Sequence, residues 1–285
     1  MDTQPIVEAN ACLAANVYGK SRVRLVRVIR HGDYHDLKEM TVHIRFEGDF
    51  EDCYRTGDNS RILPTDTMKN TVYALAKDPS VGTPELFAQH LSNHFLGNNP
   101  QVTGVEIGIT EHLWKRVSST AFEQGGPEKR TVLVRTKTGE VAITSGLEGL
   151  VVLKTTGSAF KGYIKDPLTT LPETDDRILA TSLSASWSYN GEVPYDVLWH
   201  GIRGEIVQAF AEHESLSVQH TLFAIGERIL EGFANVKEIH LTMPNKHCNL
   251  VDLSRFGLDN KNEIFVPVDE PHGYIEAKLV RTSAS

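Results

Sequence analysis

Thr65 and Asp66 put a hydroxyl and a carboxylate side by side where the sequence changes character. The polar, turn-rich run from Gly57 gives way there to an amphipathic pattern that ends at Lys77. Pro64 keeps its predecessor extended, and Met68, Val72 and Leu75 recur at helical spacing. A helix is therefore predicted to begin at Thr65 or Asp66, with one of the two as its cap. The free N–H groups and positive dipole end of such a helix suit an anionic or polar planar ligand, although capping alone accounts for the same residues.

Further polar residues stand where packing does not require them, and each has a plain alternative. Lys20, after Gly19, is a solubilising charge or a desolvated base. Phe160, in a glycine-flanked loop, is a core anchor or a plate on which a flat ring stacks. Arg177 offers its planar fork to a planar polar ligand or pairs with Asp175 or Asp176. Gln219, in the first turn of a helix begun by Ser217, reads a ligand's edge or is simply solvated. Asn245, Lys246 and His247 after Pro244 form a polar turn or a presented amide, amine and imidazole. His90 and His94 have metal-ligand spacing on a helix, but no zincin glutamate accompanies them and no third ligand is near. No metal site is assigned. Nor is there a G-x-G-x-x-G after a strand, a phosphate-binding G-x-x-x-x-G-K-[ST] or a C-x-x-C-H motif.

The elements that must position these residues follow a repeated order. Arg22 to Ile29 and Glu39 to Phe46 read as strands, the second alternating Met40, Val42, Ile44 and Phe46. The helix at Thr65 or Asp66 and a second over Pro84 to Phe95, capped by Thr83, come next, then strands over Gln101 to Leu113 and Arg130 to Thr144. The second half repeats the pattern: strands over Gly149 to Thr156 and Arg177 to Tyr189, helices over Tyr195 to His213 and Ser217 to Phe233, and strands over Val236 to Met243 and Glu263 to Val268. This is a duplicated α+β unit with a flexible arm over residues 1–15, a first domain over 16–147 and a second over 148–285. Helices on one face leave the other to be covered, so closure into a barrel by self-association is expected.

Composition narrows the partners. A chain of 285 residues suits two domains of ordinary size. No run approaches the roughly 18 to 20 apolar residues that cross a bilayer, so no membrane partner is expected. The net charge is −8 with dispersed basic residues, which leaves no footprint for nucleic acid. The first 15 residues carry acids and no Lys or Arg, unlike a targeting segment. Cys12, Cys53 and Cys248 are widely spaced and odd in number, arguing against a disulfide framework and for a reducing compartment. A small molecule is the expected partner.

Taken together, five stretches resemble the urate oxidase (uricase) family. They are Tyr18-Gly19-Lys20; Asp58-Asn59-Ser60 with Pro64-Thr65-Asp66; Leu153 to Ser158 with Phe160; Thr169 to Thr174 with Asp176-Arg177-Ile178; and Pro244-Asn245-Lys246-His247. The likeness covers nearly the whole chain in order. It implies two tandem tunnelling-fold domains, each a four-stranded antiparallel sheet with two helices on one face, assembling into an oligomeric β-barrel. It also implies oxidation of urate by molecular oxygen to 5-hydroxyisourate and hydrogen peroxide, with no metal or organic cofactor.

By that resemblance Arg177 and Gln219 grip the purine edges, Phe160 stacks on the ring, and Leu171 and Val218 are its apolar and backbone neighbours. Lys20 and Thr65 form a proton relay extended by His247, Asn245 faces the oxygen side, and Asp66 orders Thr65. The resemblance further implies a homotetramer whose sites lie at subunit interfaces, Lys20 and Thr65 coming from one chain and the other residues from its neighbour. Three departures stand out: Ser118-Ser119-Thr120-Ala121-Phe122 replaces a His-rich segment, Cys248 replaces an aromatic or His, and the chain ends Thr282-Ser283-Ala284-Ser285 rather than in a Ser-Lys-Leu address. A cytoplasmic location is expected from the last. A non-catalytic purine-binding relative, or another tunnelling-fold enzyme acting on a purine or pterin, are the alternatives; the second would want a zinc set.

Overall fold

Alternating apolar residues build one long antiparallel sheet, described here from a computed structural model over residues 11–78 and 82–282. Most of the expected N-terminal arm (1–10) and the chain end (283–285) lie outside the described residues. The first half supplies β1 (Tyr18–His31), β2 (Tyr34–Gly48), α1 (Glu51–Arg55), α2 (Thr65–Leu75), α3 (Pro84–Asn98), β3 (Val102–Arg116) and β4 (Phe122–Lys137). The second supplies β5 (Glu140–Lys154), β6 (Leu179–Tyr189), α4 (Tyr195–Glu212), α5 (Val218–Gly232), β7 (Val236–Thr242), β8 (Asn245–Leu250), β9 (Phe265–Gly273) and β10 (Glu276–Val280). The strands run β1-β2-β3-β4-β5-β6-β7-β10, while β8 pairs with the start of β6 and with β9.

Each half buries one face of its strands under two helices. Met40, Val42, Ile44 and Phe46 of β2 pack with Met68 and Val72 of α2 and with Phe87, Leu91 and Phe95 of α3. Leu183, Ala185 and Trp187 of β6 pack with Ile202 and Ile206 of α4 and Leu222, Ile225 and Ile229 of α5. The side-chain period of two sends the alternate residues to the other face. There β6 presents Ser182, Ser184, Ser186 and Ser188, and Arg45 and Arg135 bracket the Glu106 carboxylate at 3.2 and 2.6 Å. That helix-free face is mixed, because Val26 and Val28 of β1 and Val151 and Leu153 of β5 are exposed on it beside these polar groups.

Several expectations are corrected. The strand expected over Arg130 to Thr144 is two strands joined at Thr138 and Gly139, both at positive φ (51° and 85°), a two-residue hairpin whose Thr-Gly signal is weaker than Asn-Gly. The fourth strand of the second half is β10 and not Glu263 to Val268, whose residues from Phe265 belong to the β8–β9 hairpin. Helix α2 begins at Thr65, but its cap is Pro64 and no side chain caps it. Asp66 turns instead to Lys69 and Asn70 within the helix.

The two halves are joined by a buried charge cluster. Arg130 of β4, 3 % exposed, donates from Nη2 to Glu85 of α3 at 2.7 Å and from Nη1 to Asp196 of α4 at 2.5 Å. The other Glu85 oxygen accepts from Ser145 of β5 at 2.6 Å, and the Arg130 guanidinium lies over the Trp199 ring at 5.3 Å. Burial opposes a charged guanidinium, but Glu85, Asp196 and Glu111 outweigh it and hold the Arg130 pKa above its usual value. Burial pushes the neighbouring Glu111 carboxyl up, and it raises the Tyr189 hydroxyl to about 12. Arg130→Ala strands the fully buried Glu85 carboxylate, so it should lower the unfolding free energy by about 3–5 kcal/mol, measured by chemical denaturation. Arg130→Met combined with Glu85→Leu should recover most of that loss.

Candidate active site

The residues singled out above form two groups at separate places on the sheet. Lys20, Thr65 and Asp66 make the first. Lys20 is half-buried near the start of β1, where the pairing with β2 is irregular between Lys20 and Val23. Gly19 lies so close to β2 that an added Cβ would collide with the Ile44 carbonyl. The segment before Thr65 is tied to the same strand by Tyr18, whose hydroxyl accepts from the Leu63 N–H at 3.0 Å and donates to the Leu63 carbonyl at 3.4 Å. This fastening brings the helix start to Lys20. Asp66 feels the Lys20 charge, although Lys69 is the main cause that holds its carboxyl below the usual range. Thr65, half-buried in the first turn of α2, makes no hydrogen bond through its hydroxyl to another described residue.

Backbone bridges assemble the second group. Ser158 pairs with Ser215 through Ala159 N–H to Ser215 O at 2.7 Å and Ser215 N–H to Gly157 O at 2.9 Å, which sets the Phe160 loop beside the start of α5. Val218, buried, and Gln219, exposed, are the first two residues of that helix, capped by Ser217 through the His220 N–H. Phe160 and Thr174 exchange backbone hydrogen bonds at 2.8 and 3.1 Å, which brings in Arg177 three residues later. The Arg177 guanidinium sits 5.0 Å over the Phe160 ring, and Tyr163 stacks on that ring at 4.8 Å and 18°.

The sequence left Arg177 open between ligand and acid pairing. In the structure Asp175 pairs with Lys161 and Asp176 with Thr156, while Arg177 Nε is buried with no acceptor among the described residues. Burial lowers the Arg177 pKa, yet a guanidinium remains charged near neutrality. Arg177 is not the opening residue of a strand, since β6 starts at Leu179. Asn245 and His247 lie in a strand, not a turn: β8 pairs Asn245 with Thr181 and Lys246 with Ala180. Residues opposite one another share a face, so Asn245 lies with the buried Thr181 on the helix-bearing side.

A cleft of about 620 Å³ opens on this group, lined by Phe160, Leu171, Arg177, Ile178 and Cys248 among others. Gln219, Asn245 and His247 do not line it. Cys248 and His247 are adjacent in β8 and point to opposite faces, so the cleft that Cys248 lines opens on the face away from His247. Asp176 and Tyr18 hold these arrangements and were overlooked as single residues, although both fall inside the matched stretches. Among the described residues no three His, Cys, Asp or Glu side chains gather as a metal set, and His90 faces Asp78 at 4.0 Å.

The two groups do not meet within one chain. Lys20 is on the edge strand β1 and Arg177 precedes β6, five strand steps away, about 24 Å along the sheet at the usual spacing.

A repeated unit of four antiparallel strands and two helices, with polar groups collected at the strand ends, defines a tandem tunnelling-fold protein of the α+β class. A sequence model of the family described as Uricase matches residues 16–140 and 143–276. The chain is 43% identical to a uricase of Arthrobacter globiformis over 272 residues, covering 94% of this chain and 90% of that protein. It is 35% identical to a uricase of Dictyostelium discoideum over 282 residues, covering 95% and 98%. The crystal structure of the Arthrobacter globiformis uricase superposes with a TM-score of 0.93 at 42% identity, over 97% of each chain. A uricase structure from Bacillus fastidious shares the fold, with a TM-score of 0.82 at 22% identity over 94% of each chain. The chain belongs to the uricase family.

Tyr18→Phe removes the partner of both Leu63 backbone groups. It should cost about 1–2 kcal/mol in unfolding free energy and speed amide hydrogen exchange between residues 57 and 64 without affecting the α5 amides.

Proposed function

We propose that this chain is a urate oxidase, converting urate, oxygen and water to 5-hydroxyisourate and hydrogen peroxide as a first step in urate degradation. The observation that carries this reading is the Arg177–Phe160 pair. A half-buried guanidinium with an unmatched Nε, held over an aromatic ring, offers a planar anion both a charge-assisted edge contact and a stacking face. Gln219 and the backbone of Val218, at the exposed N-terminus of α5, supply further edge donors where the helix dipole favours an anion. Leu171 closes the apolar rim of the cleft beside Arg177 and Phe160, and Asn245 stands on the helix-bearing side of β8.

Urate is electron-rich once deprotonated, so the protein has only to complete deprotonation, hold the anion flat and keep oxygen over it. Thr65 and Lys20 are the proton-handling pair: among the described residues the Thr65 hydroxyl has no hydrogen-bond partner, and it sits at a helix N-terminus that favours negative charge. His247 extends the relay from the other group. Because Lys20 and Thr65 stand five strands from Arg177, one chain holds two half-sites, and a complete site needs a second copy. The exposed backbone edge of β1 and the exposed Val26, Val28, Val151 and Leu153 of the helix-free face support a closed barrel, in a homotetramer of two-domain chains divided at the Thr138–Gly139 turn between β4 and β5. Among the described helices none is long and apolar enough to cross a membrane, and Cys12, Cys53 and Cys248 are free thiols. The thiols support a cytoplasmic location.

Purified, metal-stripped protein mixed with urate in air should consume the ultraviolet absorbance of urate and release peroxide in equal amount. Unchanged urate, or turnover only after a metal is added, would overturn the proposal. Thr65→Ala and Lys20→Met should lower kcat by about 10²-fold with little change in KM, whereas Arg177→Ala should mainly raise KM. Lys20→Met and Arg177→Ala chains refolded together should regain activity that neither has alone, since some mixed sites pair two intact halves. Absence of that recovery would place the whole site in one chain.

A further inference from the structure

Asp176 lies next to Arg177 and makes more short contacts than a surface acid needs. Its Oδ2 accepts from the Thr156 hydroxyl at 2.6 Å and its Oδ1 from the Ser158 N–H at 3.3 Å. The backbone N–H groups of Gly157 and Arg177 also point at the carboxylate. Its carbonyl accepts from the Thr174 hydroxyl at 2.6 Å, and its own N–H donates to that hydroxyl at 3.3 Å. Thr174 is the residue whose backbone is paired to Phe160, and Ser158 is the one bridged to Ser215 ahead of α5. The carboxylate therefore ties the segment 156–158, which leads to Phe160 and is bridged to Ser215 ahead of α5, to the segment that carries Arg177. Gly157, at φ 73°, makes the turn that folds the first segment over it, and Lys154 fixes the other side by donating to the His213 carbonyl.

We propose that Asp176 is a positioning residue for substrate binding: it sets the spacing of the Phe160 ring, the Arg177 guanidinium and the α5 N-terminus without touching the substrate. The inference rests on the reading that Phe160 and Arg177 hold the substrate. An aromatic plate and a guanidinium fork bind one planar ligand well only at a fixed separation, and a displacement of a fraction of an ångström loses the joint contact. Apart from the guanidinium resting over the ring, neither residue has a covalent or hydrogen-bonded side-chain tie to the other. Asp176 supplies that tie through charge-assisted hydrogen bonds to both loops. The Thr156 hydroxyl, followed by the backbone donors, holds its carboxyl below the usual range. The sign follows: the clamp is in place above the ordinary carboxyl pKa and lets go only as pH falls through the depressed one, well below neutrality.

Steady-state kinetics on Asp176→Ala, Asp176→Asn, Thr156→Ala and Arg177→Ala in the full chain test this. Asp176→Ala should raise KM for urate about tenfold with kcat within about twofold, and leave the pH profile between about 6 and 9 unchanged in shape. Asp176→Asn keeps one acceptor and should recover part of the loss, and Thr156→Ala should raise KM about threefold. The double variant Asp176→Ala with Arg177→Ala should lose less than the product of the two single losses, because Asp176 acts in part through Arg177. Should Asp176→Ala fail to fold, a raised KM in both Asp176→Asn and Thr156→Ala supports the role, and a normal KM in both overturns it. An unchanged KM in Asp176→Ala beside a raised one in Arg177→Ala overturns the positioning role alone. Unchanged KM in both overturns the reading of Arg177 on which it rests. A fall in kcat at normal KM also overturns the proposal, because it would put Asp176 in proton transfer.

Discussion

The contact between Arg130 and Glu85 is the constraint on which the arrangement of the two halves depends. A fully buried carboxylate cannot stand without a partner, and its partner arises on β4, at the seam of the sheet. The same guanidinium reaches Asp196 at the start of α4, so the helices over the first half and those over the second are referred to one cation. Hydrophobic cores on either side could slide past one another at small cost, because apolar packing is not directional. The ionic cluster is directional, and with Trp199 Nε1 donating to the Gly146 carbonyl at 2.8 Å it fixes where α4 begins over the sheet. Everything downstream inherits that placement, including the turn that leads into α5.

From this frame the polar residues at the strand ends are held by two kinds of restraint. In the first half a side chain does the work: the Tyr18 hydroxyl pins the segment that precedes Thr65. In the second half the backbone does it, through the Ser158–Ser215 and Phe160–Thr174 bridges and the short β6–β8 pairing. Backbone pairing tolerates change in the side chains it carries, whereas a single hydroxyl does not. The Phe160 loop thus has backbone bridges beside the Asp176 carboxylate to hold it, whereas the Thr65 segment is built around one residue.

Much of this was legible in the sequence where periodicity was strong. The β2 alternation of Met40, Val42, Ile44 and Phe46 and the helical spacing of Leu222, Ile225 and Ile229 in α5 report burial directly. The Thr83 and Ser217 caps were equally plain, because a hydroxyl before a helix has few other uses. The turn at Thr138–Gly139 was not, since β-branched residues on both sides masked it. β10 escaped because five residues with one half-buried side chain carry little pattern, and β8 because its polar residues resemble a loop. Thr65 and Asp66 were expected to cap, but Pro64 occupies the cap position and Asp66 finds Lys69 and Asn70 one turn on. The Arg130 cluster was invisible, because no local rule says which of many charged residues will be buried together. The identities of Lys20, Arg177 and Asn245 were readable from matched stretches, whereas their division between distant strands came only from topology.

Gly19 illustrates how such a structure distributes intolerance to change. Its backbone runs against the Ile44 carbonyl, where any side chain would collide, and it immediately precedes Lys20. In a saturation library this position would be as invariant as the lysine beside it, and its loss would look like a chemical defect. The cause would be steric: a larger residue pushes β1 away from β2 and carries the amine with it. Mutational sensitivity near Lys20 therefore maps the closeness of two strands as much as it maps chemistry.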